Sequence, residues 1–198
     1  MTGERNEYQS VSSVDTSIDD AVGLPRWYIA IVRHNTEKKI KEQLDAQGYT
    51  TFIATQPRLR ITPSGRKKWI DALVIHSKIF IHCTEKQRLQ VVKHPFIYRF
   101  MTNPTGVTVN GHKPVATISD KEMEMLRFML GQSDYPVSFE HERIPAGSKV
   151  KVIRGSLKGL VGEVLHSDAP EKELVIRLDL LGCAKVSIPV SDLRNLSK

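Results

Sequence analysis

Apolar and polar positions change period several times along the chain, and each change marks an element. Trp27-Tyr28-Ile29-Ala30-Ile31-Val32 is an unbroken apolar run, the pattern of a strand buried on both faces. Asn35 or Thr36 then caps a helix over Glu37–Gln47, whose Ile40 and Leu44 share one face and whose end at Gly48 suits a left-handed residue. Thr50–Ala54 reads as a second strand. Arg58-Leu59-Arg60-Ile61 alternates cation with apolar residue, Pro63-Ser64-Gly65 turns the chain, and Arg66-Lys67-Lys68-Trp69 returns, which predicts a basic hairpin. Val74–His82 predicts another strand, centred on Ile79-Phe80-Ile81. Thr84 and Gln87 have capping-box spacing for a short helix that His94-Pro95 stops, and Ile97–Met101 returns as strand. Ser119-Asp120-Lys121-Glu122 is a second capping box. Ile118 is placed to staple onto Met123, and the helix runs through Leu126, Met129 and Leu130 to Gly131.

Residues 132–143 have no sustained period and read as a linker. Beyond them Val150/Val152, Val161/Glu163/Leu165, Val175/Arg177/Asp179 and Val186/Ile188 alternate in short strands separated by turn residues, a pattern that fits a small all-β barrel. Residues 1–23 are polar and acidic without apolar periodicity, as in a disordered tail. The expected organisation is therefore an α+β fold: a tail over 1–23, a mixed domain over 24–131, a linker over 132–143 and a barrel over 144–198.

The charge follows this division. Five acidic residues stand against one basic over 1–23, eighteen basic against eight acidic over 24–131, and ten basic against nine acidic over 132–198, within a net charge of +7. The excess in the middle segment points to an anionic partner for that segment alone.

Candidate chemistry is sparse. Cys83 and Cys183 lack the neighbours of a zinc cluster or redox pair and read as buried reduced thiols. His76 and His82, six apart on a predicted strand, share a face but lie too far apart to hold an ion without further ligands, so no metal site and no cofactor are expected. There is no nucleophile elbow, dinucleotide fingerprint or Walker loop, since Gly155–Gly162 lacks the Lys-Ser/Thr ending, and no enzyme is expected. No apolar run approaches the roughly 20 residues of a membrane span, and the opening MTGERNEYQS has no signal-peptide pattern, so a cytoplasmic protein without a membrane partner is expected.

The stretch from Gly147 through Val150, Val152, Gly155, Gly159 and Gly162 to Val164 resembles a KOW motif. Glycines at this spacing allow a positive-φ turn and tight strand crossing. The upstream order resembles the amino-terminal domain of NusG: Trp27-Tyr28 opening a strand, the helix after it, Leu73–Ile81 as a central strand and Pro114–Glu122 leading into the last helix. Housekeeping members of that family carry a Phe-Pro-Gly-Tyr turn where this chain has Ile75-His76-Ser77-Lys78. With Met101-Thr-Asn-Pro-Thr, that departure is similar to the UpxY-type antiterminators of capsular polysaccharide operons.

The resemblance implies a NusG-type α/β sandwich followed by an SH3-like KOW barrel. The implied activity is that of a monomeric factor that holds the RNA polymerase clamp and promotes processive elongation or antitermination of one operon. Its polymerase contact would involve Ile31, Ile75, Lys78 and Phe100, although pattern alone does not separate an exposed hydrophobe from a core one. Arg33, His34 and Lys39, around the first strand-to-helix junction, would meet non-template DNA or nascent RNA, with a solvated helix start as the plain alternative. Arg58, Arg60, Arg66, Lys67 and Lys68 form a second cationic group, with Arg58 and Arg60 on one side of their strand; protection of a strand edge would also explain them. Through its KOW region a relative recruits a ribosomal protein or Rho, or folds back on the first domain. Two other readings stay open: an RNA-binding or ribosome-associated KOW protein, and a general NusG.

Overall fold

The computed structural model describes residues 23–108, 110–140, 147–164, 171–178 and 181–196. The acidic tail, apart from Gly23, and residues 141–143 of the expected linker lie outside them. Within the described residues the chain is α+β, as its patterning predicts, with two antiparallel sheets, a two-stranded ribbon and three helices.

The apolar run at the start becomes β1 (Arg26–Val32), and its neighbours explain why it had to be apolar throughout. β1 lies inside a sheet ordered β2 (Thr50–Phe52), β5 (Lys78–Cys83), β1, β6 (Ile97–Phe100), with β7 (Thr117–Ile118) also pairing to β1. Side chains alternate across such a strand. Tyr28, Ala30 and Val32 therefore join one core with Ile79, Ile81 and Phe100, covered by Ile40 and Leu44 of α1 (Glu37–Ala46) and Val91 of α2 (Glu85–Val91). Trp27 and Ile29 join the opposite core with Phe80, Ile118 and the buried face of α3 (Asp120–Gln132), namely Met123, Leu126, Met129 and Leu130.

Both predicted capping boxes form. Thr84 and Gln87 exchange side-chain and backbone bonds at α2, and Ser119 and Glu122 do so at α3. Helix α1 starts differently: the Thr36 hydroxyl donates to the Arg33 carbonyl at 2.6 Å, so no side chain caps its first N–H groups. Gly48 has φ 85° and closes α1 as expected. Helix α3 runs past Gly131 to Gln132, because the Ser133 amide still bonds the Met129 carbonyl.

The strands expected over 50–54 and 97–101 end at Phe52 and Phe100, and the one expected over 74–82 begins late. Residues 74–77 form a turn and β5 begins only at Lys78, because Ser77 takes φ 58° and its backbone is held from the side: its carbonyl accepts from the Val32 amide at 3.1 Å, and its amide donates to Glu37 Oε1 at 2.7 Å.

The C-terminal sheet is ordered β13 (Leu193–Asn195), β9 (Ser148–Val152), β10 (Val161–Val164), β11 (Glu171–Leu178), β12 (Gly182–Pro189), β8 (Ser138–Glu140). Its two ends, β13 and β8, do not pair with each other among the described residues. Strand β8 comes from the stretch expected to be a linker and zips onto β12 through Phe139 and Ala184. The glycines between β9 and β10 divide their work. Gly155 and Gly159 take φ 75° and 97° in the turn, whereas Gly162 lies where a Cβ would come within 2.7 Å of the Val175 carbonyl oxygen. Leu174, Ile176, Leu178, Val186 and Ile188 of this sheet belong to the same apolar cluster as Trp27, Ile29 and α3, and α3 touches β11.

Candidate functional site

Thr55–Ile61 (β3) and Lys67–Leu73 (β4) pair only with each other, so the predicted hairpin is a ribbon outside both larger sheets. Its register sets Leu59 opposite Trp69, Arg60 opposite Lys68 and Ile61 opposite Lys67, with Arg58 opposite Ile70. Leu59, Ile61, Lys67 and Trp69 thus share one side, and Arg58, Arg60 and Lys68 the other. All seven side chains are exposed, Trp69 to 68%. Like charges directly opposite in a strand pair weaken it, and no core packing compensates here. Arg60 facing Lys68 is thus unfavourable in the isolated chain and becomes favourable when a polyanion lies across it. Arg66 closes the turn: its carbonyl accepts from the Thr62 amide, and its amide donates to the Thr62 hydroxyl.

The ribbon is anchored at its base. The Gln56 side chain, 4% exposed, donates to the carbonyls of Ser133 and Tyr135 and accepts from the Val137 amide, and the Arg58 guanidinium donates to the Val137 carbonyl at 3.2 Å. Between this base and the chain leaving α3 lies a groove of about 530 Å³, lined by Arg58, Leu59, Trp69, Leu130 and Tyr135 among others. Trp69 and Tyr135, two exposed aromatic rings beside the Arg58 guanidinium, can stack bases while the cation neutralises a phosphate. Trp69 and Tyr135 were not legible as site residues. The alternation of 58–61 shows which side each residue takes, but only the turn length tells which partner faces Leu59.

Arg33, His34 and Lys39 are all exposed around the β1–α1 junction. Lys38 Nζ donates to the Asp71 carbonyl at 2.7 Å, which ties the start of α1 to the base of β4. His76 stands in the turn before β5 rather than on a strand with His82, and its ring lies 5.0 Å from that of His34. His82 instead stacks on Trp27 at 4.8 Å.

The four residues of the expected polymerase contact do not form one surface. Ile31 faces Lys78 on one neighbouring strand and Arg99 on the other, so these three share a side of the sheet. Phe100 faces Ala30 and therefore points to the opposite side, where it is 5% exposed, meets Tyr28 edge-on at 6.1 Å and lies under the Arg88 guanidinium. Ile75 is 1% exposed. Both are core residues, because sheet register and the 74–77 turn direct them inward. Lys78 is half-buried, and that burial pushes its pKa below the ordinary lysine value. The accessible surface here is Ile31, Lys78 and Arg99, of which Arg99 was not foreseen.

No helix among the described residues is long and apolar enough to cross a membrane. Residues 25–127, just over half of the chain, match the family described as NusG, transcription termination factor nusG. Among solved structures, the chain is similar to that of domain interaction in Thermotoga maritima NusG, at 16% identity and a TM-score of 0.45, over 87% of this chain and 98% of that one. It is also similar to the MjSpt4:Spt5 complex in conformation B, at 16% identity and a TM-score of 0.28, over 87% and 97%. The chain matches no protein of curated function.

Proposed function

We propose that this chain, which belongs to the NusG family of transcription factors, binds RNA polymerase and promotes processive elongation and antitermination of a specific operon, such as one for capsular polysaccharide. The observation that carries the reading is the β3–β4 ribbon. A strand pair that leaves Leu59, Ile61 and Trp69 in solvent and sets Arg60 against Lys68 is poorly designed for its own stability and well designed for a single nucleic-acid strand. Arg33, His34 and Lys39, exposed on the junction that Lys38 ties to the base of the ribbon, add cations that support contact with exposed non-template DNA or nascent RNA. Ile31, Lys78 and Arg99 offer a mixed apolar and cationic patch for the polymerase clamp, with Ile75 and Phe100 supporting the sheet beneath it.

The reading as an RNA-binding KOW protein is less favoured. Two cations of the C-terminal sheet are already taken up by carboxylates: Arg177 pairs with Glu163, and Lys185 with Glu140 and Glu173. Operon specificity is supported by His76-Ser77-Lys78, the departure from the housekeeping turn. Run-on transcription through terminators, on the chain's own operon and on a housekeeping template, tests this. Read-through should rise on the first only, and fall when Arg60, Lys67, Lys68 and Trp69 are replaced together by Ala. Equal read-through on both templates would defeat operon specificity, and no effect of the four substitutions would defeat the ribbon's role.

A further inference from the structure

The β1–α1 junction and the 74–77 turn bring His34, Glu37 and His76 together, with one ligand atom from each residue within 4.8 Å of the others. The two turns are fixed to each other by backbone, through the Val32 amide on the Ser77 carbonyl and the Ser77 amide on Glu37 Oε1. That second bond leaves Glu37 Oε2 without a hydrogen-bond partner among the described residues, although Glu37 is 0% exposed. A buried carboxylate oxygen without a partner is costly, and a bound cation removes the cost. The imidazoles of His34 and His76 are exposed, tilted at 49° to one another, and so able to turn their nitrogens toward that oxygen.

We propose that His34, Glu37 and His76 form a binding site for a divalent transition metal of the zinc class. Two imidazoles and one carboxylate are a borderline-soft donor set, matched to zinc and its neighbours rather than to magnesium or calcium. Tetrahedral zinc holds such donors about 3.3 Å apart, so the exposed imidazoles have only a short rotation to make while Glu37 stays in place. The Ser77 amide bonded to Oε1 orients the carboxylate and leaves Oε2 for the ion, the usual way a ligand is aimed by its own hydrogen bond. A fourth position remains for water. The ion would clamp the β1–α1 junction to the 74–77 turn, next to Ile31 and Lys78. None of this depends on the transcriptional reading.

Titration of the untagged full-length chain with zinc chloride, followed by calorimetry, tests the site. One equivalent should bind in the micromolar range or tighter, and His34→Ala and His76→Ala should each weaken binding by about tenfold or more. His94→Ala, at a histidine stacked on Phe96 elsewhere, should leave it unchanged. Both tested histidines are exposed, so their loss does not threaten the fold as loss of Glu37 would. X-ray absorption of the zinc-loaded chain should show nitrogen and oxygen neighbours at about 2.0–2.1 Å. No zinc binding at micromolar concentration, binding indifferent to His34→Ala and His76→Ala, or sulfur in the coordination shell would each overturn the proposal.

Discussion

The β3–β4 ribbon and the β11–β12 pair are antiparallel ladders of nearly equal length, seven facing residues in the first and eight in the second, yet they do opposite things. Along β11 and β12 Leu174, Ile176, Leu178, Ala184, Val186 and Ile188 are buried, so each alternate side chain contributes to a core. Along the ribbon, Leu59, Ile61 and Trp69 alternate just as regularly and remain in solvent. The hydrogen-bonded ladder is the same in kind. What differs is whether another layer covers a face, and that decides whether an alternating strand stabilises the chain or is available to a partner.

The sharpest way to break this comparison is to truncate one residue in each ladder. Leu174→Ala removes a fully buried side chain and should cost about 2–5 kcal/mol in chemical denaturation. A loss under about 1 kcal/mol would mean that the C-terminal sheet is not the packed partner described above. Smaller, at roughly 1–3 kcal/mol, is the expected cost of Gly162→Ala, whose Cβ must displace the Val175 carbonyl or the Leu174 side chain. Alanine at Gly65, in a turn with nothing near its Cβ position, separates this crowding from backbone strain alone.

A further contrast is set by pH. Cys83 is buried on β5, and burial pushes its thiol up to about 12 from an ordinary value near 9. Tyr28, beside it in the same core, is pushed up to about 12 mainly by burial. Groups with raised values keep their protons in the folded chain while the unfolded chain loses them. Their contribution is fully present below about pH 9 and is lost as pH climbs toward 12. The unfolding midpoint should therefore fall across that window, and fall less in Cys83→Ala. Equal slopes in the two proteins would show that the thiol is not buried in solution.

The smallest expected effect on stability is at the ribbon. Trp69→Ala should change the unfolding free energy by no more than about 0.5 kcal/mol. It should nevertheless weaken binding of single-stranded DNA by roughly 1–3 kcal/mol, measured by fluorescence anisotropy at fixed salt. Destabilisation as large as that of Leu174→Ala would place Trp69 in a core and remove the distinction between the two ladders.

Much of the fold was legible because its signals are local. Both capping boxes, the Gly48 helix end, the apolar β1 and the hairpin turn each follow from a few consecutive residues whose backbone preferences agree. The cationic residues of the ribbon and of the β1–α1 junction were legible for the same reason, since a solvated charge needs no partner to be placed outside. The sides taken by the residues expected to meet polymerase were not. Ile31 and Phe100 look alike in the chain, and only the pairing of Ala30 with Phe100 sends them to opposite sides of one sheet. The stretch 132–143 read as a linker because three strand residues, Ser138–Glu140, are too few to show a period.

The sequence by itself determined that this is an α+β chain with a basic first part, a glycine-punctuated β second part and a hairpin carrying more charge than a core could accept. Tertiary structure alone decided which alternating strands are covered, that Trp69 is outside and Ile75 inside, and that His34, Glu37 and His76 meet. The division has one physical cause. Backbone preference and solvation act over a few residues and are written in order along the chain, whereas facing partners and covered faces depend on contacts between segments distant in sequence.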